Sequence, residues 1–266
     1  MKHIKTIIKK EWAEVFKNRM VLFTIVFIPL IFTILPLVML YFTGQGGMGD
    51  LSSVDTADVP IEFLSQCSPD TAGLECMQIY VINEFLLLFM MIPVIIPVTI
   101  AAYSIVGEKA THSLEPLLAT PITTFELLAG KSLAAAIPAI FTGWLSFGLF
   151  VGALPLIGVS PLVFQYIIGP TWLLAILIAG PLMAIASVNF AIFVSSRVND
   201  PRVAEQISGL LVLPVIALVF AQLAGMIVIN IMVMLSFIGG MILLDIGMIY
   251  LGTSIFQREK ILTRWK

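Results

Sequence analysis

Charged residues are scarce in this chain of 266 residues: Asp, Glu, Lys and Arg together make up 11%, against about a quarter in a typical soluble domain. Histidine occurs only as His3 and His112, and cysteine only as Cys67 and Cys76. Two histidines, one near the N-terminus and one mid-chain, cannot supply a histidine metal cluster or an intramembrane histidine-based catalytic centre from one chain. The sequence also lacks a GxxxxGK[ST] phosphate loop, an HExxH zinc motif and a GxSxG nucleophile elbow, each of which carries a specific chemistry. No catalytic centre, cofactor site or metal site is therefore expected in this chain. A basic-aromatic surface of the kind that binds nucleic acid is missing too, because the lysines of residues 2–17 are accounted for by lipid headgroups.

What is present is hydrocarbon. Hydrophobic residues make up 59% of the chain and the mean hydropathy is +1.07, which excludes an ordinary soluble domain and implies an integral membrane protein. The 14 basic residues fall into four groups: six from Lys2 to Arg19, then Lys109 and Lys131, then Arg197 and Arg202, and finally Arg258, Lys260, Arg264 and Lys266. Long tracts between these groups carry no lysine or arginine.

Residues 4–19 place Ile4, Ile8, Trp12 and Val15/Phe16 at helical spacing among lysines, the pattern of an amphipathic helix lying in the interface. Residues 21–42 are long and apolar enough to cross about 30 Å of hydrocarbon as helix 1, with bends expected at Pro29 and Pro36. Residues 44–78 form the one long polar excursion, with six carboxylates (Asp50, Asp55, Asp58, Glu62, Asp70 and Glu75) and no basic residue. Helices 2 to 6 are expected at about residues 79–105, 132–154, 170–194, 207–228 and 233–256. Residues 156–169 suit a short outer interfacial helix, and Pro201 after Asp200 suits a helix start. Gly148 and Gly152 have small-xxx-small form. Residues 224–237 allow either a tight turn or a segment that dips back without crossing. Six spans with both ends inside put every basic residue on the cytoplasmic side, as the positive-inside rule requires. The expected fold is thus an all-α multi-pass protein of the cell membrane, with residues 44–78 extracytoplasmic.

Residues 107–131 are a polar island between two apolar blocks, holding Glu108, Glu115 and Glu126, and cannot lie in hydrocarbon. A short helix over 111–119, ended by Thr120-Pro121, and a second start capped by Thr123 or Thr124 with Glu126 are expected. The series Gly107-Glu108-Lys109, Leu114-Glu115, Leu117-Leu118, Thr120-Pro121-Ile122, Glu126-Leu127 and Gly130-Lys131 resembles, in residue type and spacing, the cytoplasmic loop of ABC-2 type permeases. Residues 195–202 and 256–262 resemble the family's later loop and terminal stretch. Pro116, after Glu115, departs from many members and bears on the shape of the loop helix.

The resemblance implies a single ABC-2 type transmembrane domain over residues 1–266, acting as the permease half of an ATP-driven exporter. It implies two permeases, with a homodimer the expected pairing, each seated on a separate ATPase subunit that binds ATP and magnesium. Glu108, Leu114, Glu115, Leu117 and Leu118 would dock that ATPase, and the route would follow the dimer axis, lined largely by helices 1, 2 and 5. The family exports ions, drugs, lipids, peptides and polysaccharide precursors; the acidic outer loop would suit cations such as sodium, or be a solvated surface.

The intramembrane polar residues Glu84, Asn189, Gln222 and Asp245 stand apart. Asp245 lies about 16 Å from the inner end of helix 6, where an unpaired carboxylate is costly. It is expected to face the bundle and bond to a group such as Asn189 or Gln222, with a protonated acid and a wet pathway as the other readings. Gly239, Gly240, Gly247 and Gly252 suggest close packing of helix 6. The rival function is an ion-coupled secondary transporter using Asp245 and Glu84; a membrane scaffold is a further one.

Cys67 and Cys76, nine residues apart in the outer excursion, would form a disulfide in an oxidising compartment and stay as thiols in a reducing one. The bridge is the expected state, restricting the loop's disordered conformations. Non-reducing peptide mapping by mass spectrometry should recover the two as one cross-linked species; two freely alkylatable thiols under native redox conditions would show the bridge to be absent.

Overall fold

The computed structural model describes residues 2–44, 73–110, 123–198 and 200–255, and their regular structure is entirely helical. A short helix, α1 (Lys2–Val15), precedes α2 (Arg19–Gly44) and the long α3 (Gly73–Ala110). Then come α4 (Thr124–Ala153), ending in a 3-10 turn, and a short α5 (Pro161–Ile167). The next span starts as α6 (Pro170–Leu174), passes through a π-helical turn (Ala175–Ala179) and continues as α7 (Gly180–Arg197). The last two spans are α8 (Pro201–Gly209) running through a 3-10 turn into α9 (Leu213–Leu223), and α10 (Ile231–Ile255).

Six of these stretches are long and apolar enough to cross a membrane: Arg19–Thr43, Glu75–Ser104, Glu126–Ile157, Pro161–Arg197, Arg202–Leu223 and Ile231–Tyr250. The expected six-span all-α fold is therefore the fold found. Helix α3 is its centre: α2, α4, α7, α8 and α9 all pack on it, and 83% of its most apolar stretch is buried, against 22% for α2 and for α4. At one end of the bundle Trp172 of α6 is fully buried among Phe89, Phe147 and Phe150, with ring centroids 5.8 to 6.1 Å away. At the other end Ala102 and Val106 of α3, Val194 of α7 and Ala204 of α8 form a second small core.

Helix starts follow the sequence closely. Asp200 caps α8, accepting from the Arg202 N–H at 2.7 Å with Pro201 in the first turn. Ser160 caps α5. Asn230 accepts from the Val233 N–H at 2.9 Å and opens α10. The chain between α9 and α10 turns through Gly225, whose φ of 69° favours glycine, and α10 is continuous, so residues 224–237 hold no re-entrant dip.

Several expectations are corrected. The fifth span begins at Pro201, so the link of residues 197–206 is largely helix. Residues 107–110 of the polar island end α3 and residues 124–131 begin α4; residues 111–122, with Leu114, Glu115, Leu117 and Leu118, lie outside the described residues. So do Cys67 and residues 45–72, whereas Cys76 is buried in the first turns of α3. A Cβ on Gly148, Gly152, Gly239, Gly240 or Gly247 would meet nothing within 4 Å. These glycines therefore face outward from the chain's own bundle and mark no close crossing within it.

Three prolines explain how the helices are tied. A proline inside a helix removes the N–H that would bond the carbonyl four residues back, and hydrocarbon supplies no substitute. Pro138 orphans the Ala134 carbonyl, which accepts from Trp12 Nε1 at 3.0 Å. Pro97 orphans the Pro93 carbonyl, which lies 3.2 Å from Ser187 Oγ, a hydroxyl shared with the Ala184 carbonyl of its own helix at 3.0 Å. In the π turn the Gly180 N–H bonds back to Ala175 and Pro181 has no N–H, so the Ile176 carbonyl is left over; Trp144 Nε1 donates to it at 3.0 Å. Each donor comes from a different helix.

Ser187→Ala should cost about 1–3 kcal/mol, the penalty for an unsatisfied buried acceptor, measured as unfolding free energy in mixed micelles. Adding Pro97→Ala, which restores an N–H to the Pro93 carbonyl, should recover most of the loss; no recovery in the double variant would contradict the orphan-carbonyl account.

Candidate coupling site

The first turn of α4 is closed by a capping box. The Glu126 N–H donates to Thr123 Oγ1 at 3.2 Å and the Thr123 N–H donates to Glu126 Oε2 at 3.1 Å, so two otherwise unsatisfied donors are met reciprocally. This fixes where α4 begins, nearly two turns before Gly130-Lys131.

Helix α1 lies against α4. Its buried residues are Ile7, Glu11 and Val15, a single stripe at four-residue spacing. The expected stripe of Ile4, Ile8, Trp12 and Phe16 is rotated to the half-covered flank, and Phe16 is 50% exposed. The rotation has a cause on α4. Gly130 lets Ile7 approach so closely that a Cβ there would stand 2.9 Å from Ile7 Cγ2, and one residue on, Lys131 reaches Glu11.

That contact is an ion pair between Lys131 Nζ and Glu11 Oε1 at 2.8 Å, with side-chain exposures of 5% and 3%. Lys131 Nζ also donates to Ser104 Oγ of α3 at 2.8 Å. One ammonium thus joins three elements: α1, the end of α3 and the start of α4, the last two being the flanks of the loop that contains residues 111–122. Sequence reading placed Lys131 on the island and did not single out Glu11. The signal was there: a carboxylate midway between Ile7 and Val15 on a face that must be buried calls for a cation.

The polar residues within the spans sit elsewhere. Glu84 of α3 faces Gln222 of α9, but neither side chain has a hydrogen-bond partner within 3.5 Å. Gln222 also lines a small cavity of about 70 Å³ with Leu87, Met90, Met183 and Phe237. Asp245 is buried at 5% exposure, as a bundle-facing residue would be, yet neither of its oxygens is bonded to Asn189, Gln222 or any other group; the expected bonded state is not the one found. The side-chain nitrogen of Asn189 and both polar atoms of Asn83 are likewise unbonded. Among the described residues no three His, Cys, Asp or Glu side chains gather as a metal set. Glu108 belongs to the last turn of α3.

Lys131→Met leaves Glu11 buried without its cation and should destabilise the protein by about 3–5 kcal/mol. Replacing both, as Glu11→Leu with Lys131→Met, should cost clearly less than the single change, because no buried charge remains. Thermal unfolding of the purified chain in one detergent checks the order; a double variant at least as unstable as the single one would deny the pair its role.

No curated protein matches the chain. A family model described as ABC-2 family transporter protein matches residues 5–263, which take in Glu11 of α1 and every span. The six-span bundle is that of a membrane permease, and the chain belongs to the ABC-2 family of transporter proteins.

Proposed function

We propose that this permease converts the stroke of a separate ATPase subunit into movement of its spans, and that export proceeds through a pair of permeases seated on two ATPases. In this reading the face that carries α1 is cytoplasmic, ATP and magnesium bind the partner, and Glu108, Leu114, Glu115, Leu117 and Leu118 form the docking surface. The observation that carries it is the Lys131 joint. A force applied to the loop between α3 and α4 enters both helices at their ends, and the ammonium that links those ends to Glu11 passes the same displacement to α1 and, through the turn at Asn18, to α2. A buried ion pair suits this work because it has one geometry and no water to relax into. The wide capping of α4 by Thr123 and Glu126 keeps the receiving end from fraying.

The unbonded polar atoms of Glu84, Asn189, Gln222 and Asp245 support a second element of the proposal. Each gains from a partner it lacks in this arrangement, so a rearranged bundle that pairs or wets them is favoured by them, which suits helices that alternate between two packings. Proline-bearing α3 is the helix around which the others would shift. The Cys67–Cys76 bridge is proposed to brace the entry to α3, with the burial of Cys76 in its support.

The decisive experiment is copurification. The tagged chain should bring down an ATPase subunit bearing a phosphate loop, and Glu115→Lys should lower its recovery at least about tenfold by setting like charges together at the interface. Undiminished recovery together with unchanged ATPase activity in that variant would remove Glu115 from the docking surface.

A further inference from the structure

Between α1, α2 and α4 runs an open groove of about 740 Å³ that the transport reading leaves unused. Its floor and walls are apolar: Trp12 and Phe16 close one end, and Val26, Leu30, Phe141 and Leu145 line its length. Three hydroxyls reach it, and each is turned onto a carbonyl of its own helix, with Thr33 also 3.5 Å from the Ser146 carbonyl on the facing helix. Thr33 donates to Pro29 at 2.8 Å, Thr142 to Pro138 at 2.6 Å and Ser146 to Thr142 at 2.8 Å. The wall therefore asks nothing polar of an occupant. Pro29 and Pro138 stand on its two sides.

Dimensions and charge identify what fits. The lining runs along α4 from Ile137 to Leu149, about 18 Å at 1.5 Å per residue, close to the roughly 15 Å of one leaflet's hydrocarbon. The volume is that of a site for one elongated ligand. The groove lies among helices that span the membrane, and at its α1 end the chain turns from Phe16 into α2 through Lys17, Asn18 and Arg19. Lys17 and Arg19 are exposed there, one on each side of the turn. We propose that the groove is a binding site for an anionic phospholipid of the leaflet on the α1 side, one acyl chain lying between α2 and α4 and the phosphate held by Lys17 and Arg19. The lipid then bears on α1 through Trp12 and Phe16, beside the Glu11 pair, so its occupancy supports the position of that helix.

The full chain in phosphatidylcholine vesicles carrying either phosphatidylglycerol or phosphatidylcholine with a photoreactive acyl chain tests this without any ATPase, so its result stands apart from the transport reading. Cross-links mapped by mass spectrometry should concentrate on Val26, Leu30, Phe141 and Leu145. They should exceed those on Leu243 and Ile246, which are 73% and 61% exposed on α10 outside the groove. Phosphatidylglycerol should label the groove about tenfold more than phosphatidylcholine, the preference two basic side chains near a headgroup can supply. Lys17→Gln with Arg19→Gln, both at exposed positions, should bring that ratio near one while labelling by phosphatidylcholine persists. Equal labelling by the two lipids in the unaltered chain overturns the proposal, as does labelling no denser in the groove than on α10. Absence of groove labelling by either lipid also overturns it, since protein, such as a second copy of the chain, would then cover the site.

Discussion

A carbonyl left without a donor inside hydrocarbon has no water to turn to, and this chain answers such carbonyls from other helices at Pro97, Pro138 and Pro181. The bonds that answer them are directional and come from other helices, which gives the bundle an ordering principle that apolar packing in a membrane lacks, since lipid tails compete equally for any apolar face. Trp12 ties α1 to α4, Trp144 ties α4 to the π turn, and Ser187 ties α7 to α3. Lys131 then ties α3 back to α4 and α1 through Ser104 and Glu11. The four connections close a ring through α1, α4, α7 and α3.

The ring separates the molecule into a braced part and a looser part. Helices α8 to α10 contribute no donor to any of these proline carbonyls, and their most apolar stretches are only 17% buried. The buried polar atoms that lack partners include those of Gln222 and Asp245 on these same helices, with Glu84 facing Gln222 from α3. The cross-helix bonds thus gather on α1, α3, α4 and α7, while buried polar atoms without partners lie on α9 and α10 and also at Asn83, Trp172, Asn189, Ser195 and Ser208.

Much of this architecture was legible in the sequence. Composition and the spacing of basic residues gave six spans, and Asp200-Pro201 and the Thr123–Glu126 pair marked helix starts correctly, because caps and apolar length are local properties. What failed was whatever depended on a neighbour. The apolar residues Ile4, Ile8, Trp12 and Phe16 look like the packed face of α1, yet the packed face contains Glu11, which only Lys131 makes tolerable. Gly148 and Gly152 of α4 and Gly239, Gly240 and Gly247 of α10 look like packing sites, yet they face open space, because small residues signal a close approach only when another helix is there. The prolines could be read as bends; which side chain completes each carbonyl could not.

The π turn at Ala175–Ala179 has a consequence for how the span containing it can vary. A π turn accommodates one residue more than the α-helical register allows, so α6 and α7 are out of phase by about 100° relative to an uninterrupted helix. That offset is what lets Trp172 point into the rings of Phe89, Phe147 and Phe150 while Ser187, on the same span, reaches the Pro93 carbonyl. Loss of any single residue between Trp172 and Pro181 would return the helix to α register, would still leave the carbonyl four residues before Pro181 without a helical donor, and would turn either the indole or the serine away from its partner. Substitution is therefore tolerated in this stretch far more readily than a change of length, and the span's length is set by phase as much as by membrane thickness.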